Sequence, residues 1–391
     1  MTDPQQSPEQ AAVRGLLRAV ATDLGHDVAP QWQEAATAAA RHRFLPDRIW
    51  TIRDGRYQPT DRDTDPEGWF TAAYALKPVV TQVNDGAPDD DGEVWPSSSA
   101  SHPSMVFLML EVADLRPGAR VLHIGTGTGW DSGMICHRVG DTNLVTVEID
   151  HALAARSRAL LKTLGYSPTA VCGDGRLGWA PGAPYDRTLA TCSVRRVPPH
   201  WIAQTRTGGV ILTPWDNPWI CWGLLRLTVE DDRTAMGRYS PHSSFMLMRT
   251  QRQDMHIHGD VVKDDHQPDE SASTLPRRDV VQGNAAFAIG HRLGDVWYTW
   301  QDEPVAGVAD RLWVATTDGT SWAAIDHDGG DEDRFTVYQH GPRRLWNEVE
   351  EAHRWWLDHG QPGPDRFGLT ITPDGTHHAW LDTPSNSWPL G

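Results

Sequence analysis

Apolar residues near the start of the chain repeat at the three- and four-residue spacing of an amphipathic α-helix. The residues that share this face are Val13, Leu16, Leu17, Val20 and Leu24. Residues 7–10 (SPEQ) precede the repeat with the form of a capping box, and Gly25 follows it. The pattern therefore predicts a helix between these signals and a second helix near residues 30–40. Residues 44–98 are rich in Pro, Gly and Asp, which indicates irregular structure.

The central part of the chain alternates short apolar runs with stretches of helical spacing. The strand candidates are residues 120–124, 144–148, 169–172, 186–190 and 210–213. Helical stretches follow the first two candidates and end near Val139 and at Gly165. Strands that alternate with helices form mainly parallel sheets with helices on both faces. The sequence therefore predicts a doubly wound α/β domain.

The pattern changes after Pro214. Residues 219–229 and 244–250 indicate antiparallel strands that complete the sheet, and several short strand patterns further on accompany one helix near residues 343–358. The chain is therefore expected to contain four segments. They are a helical and irregular extension at 1–68, the α/β domain at 69–250, a polar linker at 251–285 and a small α+β accessory domain at 286–391.

The composition narrows the function. A formal net charge of −17 disfavours a nucleic-acid partner, because phosphate contacts need a basic face. The longest apolar runs are far shorter than the roughly 20 residues of a membrane span, and the polar N-terminus carries no secretory signal. We therefore expect a cytoplasmic protein without a membrane partner. No pair among the four cysteines has CxxC spacing, so neither a metal site nor a redox pair is predicted.

A glycine-rich turn after the first central strand carries the main candidate chemistry. Residues 125–129 (GTGTG) permit tight turning and let a ligand approach the backbone closely. The next strand ends at Glu148, an acid placed to accept hydrogen bonds from both hydroxyls of a ribose. The third strand leads into Asp174, whose carboxylate suits an adenine amino group. Together the three features favour an adenosyl ligand without phosphates.

Five stretches, in the same order, resemble the protein-L-isoaspartate O-methyltransferase family. They are residues 69–82 (WFTAAYALKPVVTQ), 99–103 (SASHP), 121–130 (VLHIGTGTGW), 173–186 (GDGRLGWAPGAPYD) and 197–214 (VPPHWIAQTRTGGVILTP). The resemblance implies a Rossmann-like class I methyltransferase fold, S-adenosyl-L-methionine as the cofactor and a peptide carboxylate as the acceptor. A carboxylate is already ionised at neutral pH, so the implied reaction needs neither a general base nor a metal.

The resemblance also assigns site residues. Ser101 falls on the active-site serine of the family, and Ser99 is a further candidate for a polar contact with the substrate. Ser101 has the alternative role of capping a helix at residues 104–115. The residues expected to bind the cofactor are His123, Gly125, Thr126, Gly127, Gly129, Glu148, Asp174 and Gly175. His123 stands where the family usually has an acid that helps hold the cofactor's amino group, so we expect a rearranged contact there.

The added length at both ends resembles a subgroup of methyltransferases found with peptide-maturation systems. Residues 367–381 (FGLTITPDGTHHAWL) look like the tail of those that accompany graspetide ligases, with relatives in lanthipeptide and lasso-peptide pathways. This implies methylation of an Asp side chain in a precursor peptide already modified by a ligase or cyclase, leading to aspartimide and then isoaspartate. The C-terminal domain would recognise the peptide or form a dimer interface, so a monomer and a homodimer both stay open. A repair methyltransferase with extra domains and a non-catalytic peptide-binding protein are the two alternatives.

Overall fold

The computed structural model describes residues 7–87, 94–241, 244–330 and 334–390. The chain forms two compact units, of which the first is Met1–Cys192 with Pro198–Leu212 and the second is Ser193–Val197 with Thr213–Gly391. The expected division between residues 68 and 69 is not a boundary of these units, because the N-terminal extension belongs to the same unit as the glycine-rich turn. Within the described ranges, no helix is long and apolar enough to cross a membrane.

The first unit combines helices with two sheets. Its helices are α1 (Pro8–Leu24), α2 (Pro30–Ala38), α3 (Pro66–Ala73), α4 (Pro103–Val112), α5 (Trp130–Val139), α6 (His151–Thr163) and α7 (Pro199–Gln204). Its strands are β1 (Arg48–Arg53), β2 (Arg56–Asp61), β3 (Val79–Val83), β4 (Pro96–Ala100), β5 (Val121–Ile124), β6 (Leu144–Glu148), β7 (Thr169–Cys172), β8 (Tyr185–Ala190) and β9 (Thr205–Asp216). Residues 213–216 at the end of β9 belong to the second unit.

The predicted α/β domain is confirmed by a parallel sheet in the order β9-β8-β5-β6-β7. Its central strand β5 is buried along its whole length, as expected for a strand covered by helices on both faces. The chain order reverses direction across the sheet at β5, which lies between β6 and β8. Ligands of doubly wound sheets bind at the carboxyl ends of the strands beside such a point, and the glycine-rich turn follows β5 there.

The N-terminal helix α1 has the ends that the sequence predicts. The side chain of Ser7 accepts a hydrogen bond of 3.2 Å from the backbone NH of Gln10, and Gly25 takes the left-handed conformation that ends the helix. Val13, Leu16 and Val20 are buried on the predicted face.

The prediction of irregular structure for residues 44–98 is wrong, because this region contains an antiparallel sheet in the order β2-β1-β3-β4. Asp54 and Gly55 both have positive φ angles and close a two-residue hairpin between β1 and β2. The Asp and Gly that indicated a loop therefore form the turn of a strand pair. Val79, Val80 and Val83 of β3 are buried in this sheet.

The second unit contains two further antiparallel sheets, whose strands follow in chain order. They are β10 (Cys221–Val229), β11 (Ala235–Ser240), β12 (Asp269–Ser273), β13 (Val296–Asp302), β14 (Asp310–Thr316), β15 (Trp322–His327), β16 (Phe335–His340), β17 (Phe367–Ile371), β18 (His377–Leu381) and β19 (Ser387–Pro389). One sheet has the order β19-β18-β17-β11-β10 and the other β12-β16-β15-β14-β13. Helices α8 (Gly283–Leu293) and α9 (Leu345–Asp358) contribute Ile289, Trp346 and Val349 to a core shared with the second of these sheets.

Two predictions for this part of the chain are corrected. Strand β10 pairs with β11 through a hairpin that has Arg233 at positive φ, and residues 244–250 do not form the partner strand. Residues 251–285 are not a linker, because β12 is the edge strand beside β16 and both Ile257 and Val280 are buried. The few apolar residues of this polar segment each fill a core position, which its average composition conceals.

Candidate active site

The turn between β5 and α5 depends on glycine at its three repeated positions. Gly125, Gly127 and Gly129 have φ angles of 87°, 51° and 87°, which side chains adopt only with strain. A Cβ on Gly125 would lie 3.3 Å from Thr191 Oγ1, and one on Gly129 would lie 3.2 Å from the Cβ of Ser157. The sequence pattern GTGTG is therefore required by both the backbone angles and the close neighbours.

The acid at the end of β6 faces this turn. Glu148 is 7% exposed, and its Oε2 accepts a hydrogen bond of 2.8 Å from the backbone NH of Gly127. Its Oε1 accepts one of 3.0 Å from the backbone NH of Asp150. A single carboxylate is thus held at the mouth of the glycine turn, as the sequence predicts for a ribose-binding acid.

The third strand brings Asp174 to the same edge of the sheet. Glu148 is paired in register with Cys172, and the NH of Gly173 donates to the carbonyl of Glu148 over 2.8 Å. Asp174 accepts hydrogen bonds of 2.9 Å from both the backbone NH and the Nε of Arg176, so its carboxylate carries an ion pair at the surface.

The neighbouring glycine of this segment has a structural contact. Gly175 is buried, and its carbonyl accepts a 2.8 Å hydrogen bond from the indole of Trp201. The indole fixes the path of the backbone directly after Asp174.

Strand β4, which carries the serines, lies directly against the glycine turn. A Cβ on Gly127 would lie 3.7 Å from Ser98 Oγ and 3.9 Å from the carbonyl oxygen of Ser99. These separations are ordinary van der Waals distances. The structure therefore brings one predicted catalytic residue, Ser99, beside the predicted cofactor residues Gly127 and Glu148.

Gln82 connects the start of this strand to helix α6, a link that the sequence did not reveal. Ser97 Oγ donates a 3.0 Å hydrogen bond to Gln82 Oε1, and Gln82 Nε2 donates one of 2.9 Å to Asp150 Oδ2. Asp150 in turn caps α6 by accepting from the NH groups of Ala152 and Leu153. The only sequence signal for this role is that Gln82 ends the first stretch shared with the family.

Ser101 follows β4 by one residue and is half-buried. The alternative role as a helix cap is contradicted, because α4 begins at Pro103 with His102 in the capping position and no side chain caps it. The backbone carbonyl of Ser101 accepts a 2.9 Å hydrogen bond from Arg41. Its position at the end of the serine strand is compatible with the predicted contact to a substrate.

His123 is enclosed in the protein, which corrects the expectation of a direct contact with the cofactor. It is 0% exposed, and its Nδ1 lies 2.9 Å from Ser132 Oγ and 3.2 Å from Thr146 Oγ1. Its Nε2 lies 3.1 Å from Thr191 Oγ1, which donates a 2.8 Å hydrogen bond to the carbonyl of Gly125. Burial lowers the pKa of His123 to about 4, so the ring is neutral and acts on the glycine turn through Thr191.

Two further residues complete the site's electrostatics. Thr126 is 5% exposed, and its hydroxyl lies 2.6 Å from that of Thr146, in the network around His123. Burial, reinforced by the charge of Glu148, raises the pKa of the Cys192 thiol to about 12, so it is neutral. Among the described residues, no group of three or more His, Cys, Asp or Glu side chains is arranged to hold a metal ion.

Comparison with known proteins identifies the family. The family profile described as protein-L-isoaspartate(D-aspartate) O-methyltransferase (PCMT) matches residues 65–238. Protein-L-isoaspartate O-methyltransferase 2 of a Polaromonas species is 33% identical over 153 residues, which are 39% of this chain and 72% of that relative. The chain belongs to the protein-L-isoaspartate O-methyltransferase family. The protein-L-isoaspartate O-methyltransferase of Ignicoccus hospitalis is 40% identical over 116 residues, which are 29% of this chain and 55% of that relative.

The extent of these matches limits what they carry, since the chain spans about half the length of the Ignicoccus relative. A solved structure named protein-L-isoaspartate O-methyltransferase matches this chain with a TM-score of 0.52 and 18% identity, covering 95% of this chain and 100% of that one. This likeness confirms the Rossmann-like class I methyltransferase fold. It also corrects the expectation that length separates this chain from the family, because a protein of that name matches nearly all of it.

Proposed function

We propose that this protein is an S-adenosyl-L-methionine-dependent O-methyltransferase that acts on carboxylates of peptides. The observation that carries the proposal is the position of Ser98 and Ser99 against Gly127, whose NH is bound by Glu148. A segment that the family uses beside its substrate thus lies against the turn that fits the cofactor. Membership of the family supports the same activity.

The residues present fit an adenosyl group with its sulfonium. When bound, S-adenosyl-L-methionine supplies an electrophilic methyl group that passes to an oxygen of the acceptor. Residues 125–129 offer backbone without side chains as a seat, Glu148 binds the ribose hydroxyls, and Asp174 binds the adenine amino group. Glu148 and Gly127 carry the fit, because their hydrogen bond fixes the acid beside the turn before any ligand binds.

The chain's own contribution to the reaction is alignment and the exclusion of water. An ionised acceptor loses no proton when it takes a methyl group, so a general base is unnecessary. His123 and Cys192 are both uncharged near neutral pH and so introduce no charge that competes for the acceptor. The serine hydroxyls at 99 and 101 hold the acceptor or its adjacent backbone, and the poorly hydrated pocket leaves the carboxylate reactive.

The acceptor that we propose is an Asp side chain in a precursor peptide already constrained by a ligase or cyclase. The methyl ester has methoxide as its leaving group. The next backbone nitrogen attacks the ester carbonyl, the C–O bond to methoxide breaks, and the amide proton leaves with it as methanol. The product is an aspartimide, which water opens to Asp or isoaspartate. The resemblance of residues 367–381 to peptide-maturation methyltransferases supports this choice, with the second unit as the part that recognises the peptide.

Repair of isoaspartate in damaged proteins is the second candidate function. The solved protein-L-isoaspartate O-methyltransferase that matches 95% of this chain favours it, because additional length does not require a specialised substrate. The two candidates differ in the acceptor and share the cofactor and the methyl transfer. They are therefore separated by substrate specificity.

Mass spectrometry on matched peptides tests the proposal. The protein and S-adenosyl-L-methionine are incubated with macrocyclic peptides that carry one Asp, with their linear forms, and with linear peptides that carry one isoaspartate. We expect the macrocyclic Asp peptide to gain the mass of one methylene and then to fall below its starting mass by one water. Methylation confined to the isoaspartyl peptides would establish the repair function instead. Failure to bind S-adenosyl-L-methionine in a calorimetric titration would favour the non-catalytic peptide-binding alternative.

A further inference from the structure

Arg41 is a fully buried arginine whose side chain binds backbone carbonyls on three separate segments of the first unit. It begins a short 3₁₀ turn, Arg41–Phe44, in the N-terminal extension and is 1% exposed. Its Nη1 donates a 2.9 Å hydrogen bond to the carbonyl of Ala73 at the end of α3. The Nη2 donates to carbonyls further along the chain, which are those of Lys77 at 3.1 Å, Ala100 at 3.0 Å and Ser101 at 2.9 Å.

Two of these carbonyls belong to the serine segment. Ala100 ends β4, and Ser101 is the residue that falls on the active-site serine of the family. A planar guanidinium with fixed donor directions holds several acceptors in one arrangement, which a flexible ammonium cannot reproduce. Burial lowers the pKa of Arg41 to about 10, with the charge of Asp131 opposing this, so the side chain stays charged at neutral pH.

The same guanidinium also contacts the helix that follows the glycine turn. It lies 5.1 Å from the ring centroid of Trp130, which begins α5 directly after Gly129. Trp130 is fixed independently, because its indole donates a 3.0 Å hydrogen bond to the carbonyl of Ala39. Arg41 therefore spans the serine segment and the residue next to the glycine turn.

We propose that Arg41 is a positioning residue that sets the Ser99–Ser101 segment against the glycine turn. The consequence for activity rests on the proposed function, whereas the consequence for the segment's order does not. Without the guanidinium, the carbonyls at 100 and 101 lose their common partner, and the acceptor's contacts shift relative to the methyl group. The cofactor contact through Glu148 and Gly127 does not involve Arg41 and is expected to persist.

Two substitutions with a matched control test this role. Arg41→Met removes every donor, and Arg41→Lys keeps the charge while reaching fewer carbonyls. Arg43→Met makes the same chemical change in the same short turn at an exposed position. For each protein, calorimetry measures binding of S-adenosylhomocysteine, steady-state assays on the Asp and isoaspartyl peptides measure kcat and KM, and hydrogen exchange measures the order of residues 94–104.

We expect Arg41→Met to lower kcat/KM by about 100-fold, mainly through kcat, with Arg41→Lys between it and the unchanged protein. Binding of S-adenosylhomocysteine should change less than about twofold in both, and exchange in residues 94–104 should accelerate. Arg43→Met should match the unchanged protein in all three measurements. If Arg41→Met does not fold, Arg41→Lys carries the test through the same measurements.

The outcomes separate this role from a merely structural one and from failure of the proposed function. Loss of cofactor binding in step with activity would make Arg41 a residue that only holds the fold. Unchanged exchange in residues 94–104 in the folded variants would overturn the proposal. If the unchanged protein methylates neither peptide, the proposed function fails, and the exchange measurement still decides the role of Arg41.

Discussion

The carboxylate of Glu148 accepts a 2.8 Å hydrogen bond from the backbone NH of Gly127, which ties the end of β6 to the middle of the glycine turn. The other oxygen of Glu148 is bound by the NH of Asp150. The acid is therefore fixed at both oxygens before a ligand arrives, and such preorganisation lowers the entropic cost of binding. A ligand that contacts both the acid and the turn meets them already in place.

Glu148→Gln should weaken binding of S-adenosylhomocysteine by about 10- to 100-fold, because hydrogen bonds to a charged acceptor contribute about 1.5–3 kcal/mol. Isothermal titration calorimetry measures the change. Glu67→Gln, at an exposed position in the first turn of α3, is the control and should bind like the unchanged protein. Equal affinity in Glu148→Gln would mean that this carboxylate does not touch the ligand.

Gly127→Ala should reduce cofactor affinity beyond the effect of backbone strain. The added Cβ points toward Ser98 and Ser99, into the space between the turn and β4. Gly118→Ala is the control, because Gly118 also has a positive φ angle and a Cβ there meets nothing within 4 Å. Both variants should lose about 1 kcal/mol in the free energy of unfolding, measured with urea.

A calorimetric titration with S-adenosylhomocysteine then separates the two glycine variants. Only Gly127→Ala should bind the ligand more weakly than the unchanged protein. If both variants bind it equally, the space beside Gly127 is not the cofactor seat.

Ser101→Ala should lower kcat/KM for peptide methylation by about 10-fold while leaving the affinity for S-adenosylhomocysteine unchanged, because a neutral hydrogen bond to the acceptor contributes about 1 kcal/mol. Ser99→Ala should act in the same direction. The exposed Ser167 offers the matched control in Ser167→Ala. Full activity in both Ser99→Ala and Ser101→Ala would remove the serine segment from the substrate contacts.

The buried His123 predicts acid sensitivity of the first unit. Its pKa in the folded protein, about 4, lies below the ordinary value of 6.5 because burial disfavours the charged ring. The unfolded chain therefore binds the proton first as the pH falls, and stability is lost between these two values. From this residue alone, the free energy of unfolding should fall by about 2 kcal/mol between about pH 7.5 and about pH 5.

Urea unfolding at the two pH values, compared between the unchanged protein and His123→Gln, measures this contribution. Glutamine keeps polar atoms for Thr191 and Ser132 but does not titrate, so the variant should lose less stability on acidification. The same loss in both proteins would mean that His123 is not held neutral in the folded state.

The sequence was sufficient for features that are local in the chain. The glycine turn follows directly from Gly125, Gly127 and Gly129, and the carboxyl ends of parallel strands bring Glu148 to the turn without further information. The ends of α1 were also predictable, because a capping serine and a terminal glycine act within a few residues.

Other contacts escaped prediction because they join distant residues. Arg41 and Ser101 are 60 positions apart, and His123 and Thr191 are 68 apart, so nothing local marks either pair. The antiparallel sheet of β1–β4 was missed for a different reason. Its turn residues Asp54 and Gly55 raise the loop signal of the whole region, while the strands they join are short.

Transfer of a labelled methyl group from S-adenosyl-L-methionine to a macrocyclic Asp peptide is the most direct test of the proposed methyltransferase activity. Alkali distinguishes a carboxyl ester from other products, because it releases the ester's methyl group as methanol. We predict label on the peptide that alkali releases, and no label when Glu148→Gln replaces the unchanged protein at low cofactor concentration. A protein that binds S-adenosylhomocysteine but leaves both Asp and isoaspartyl peptides unlabelled would contradict the proposed activity.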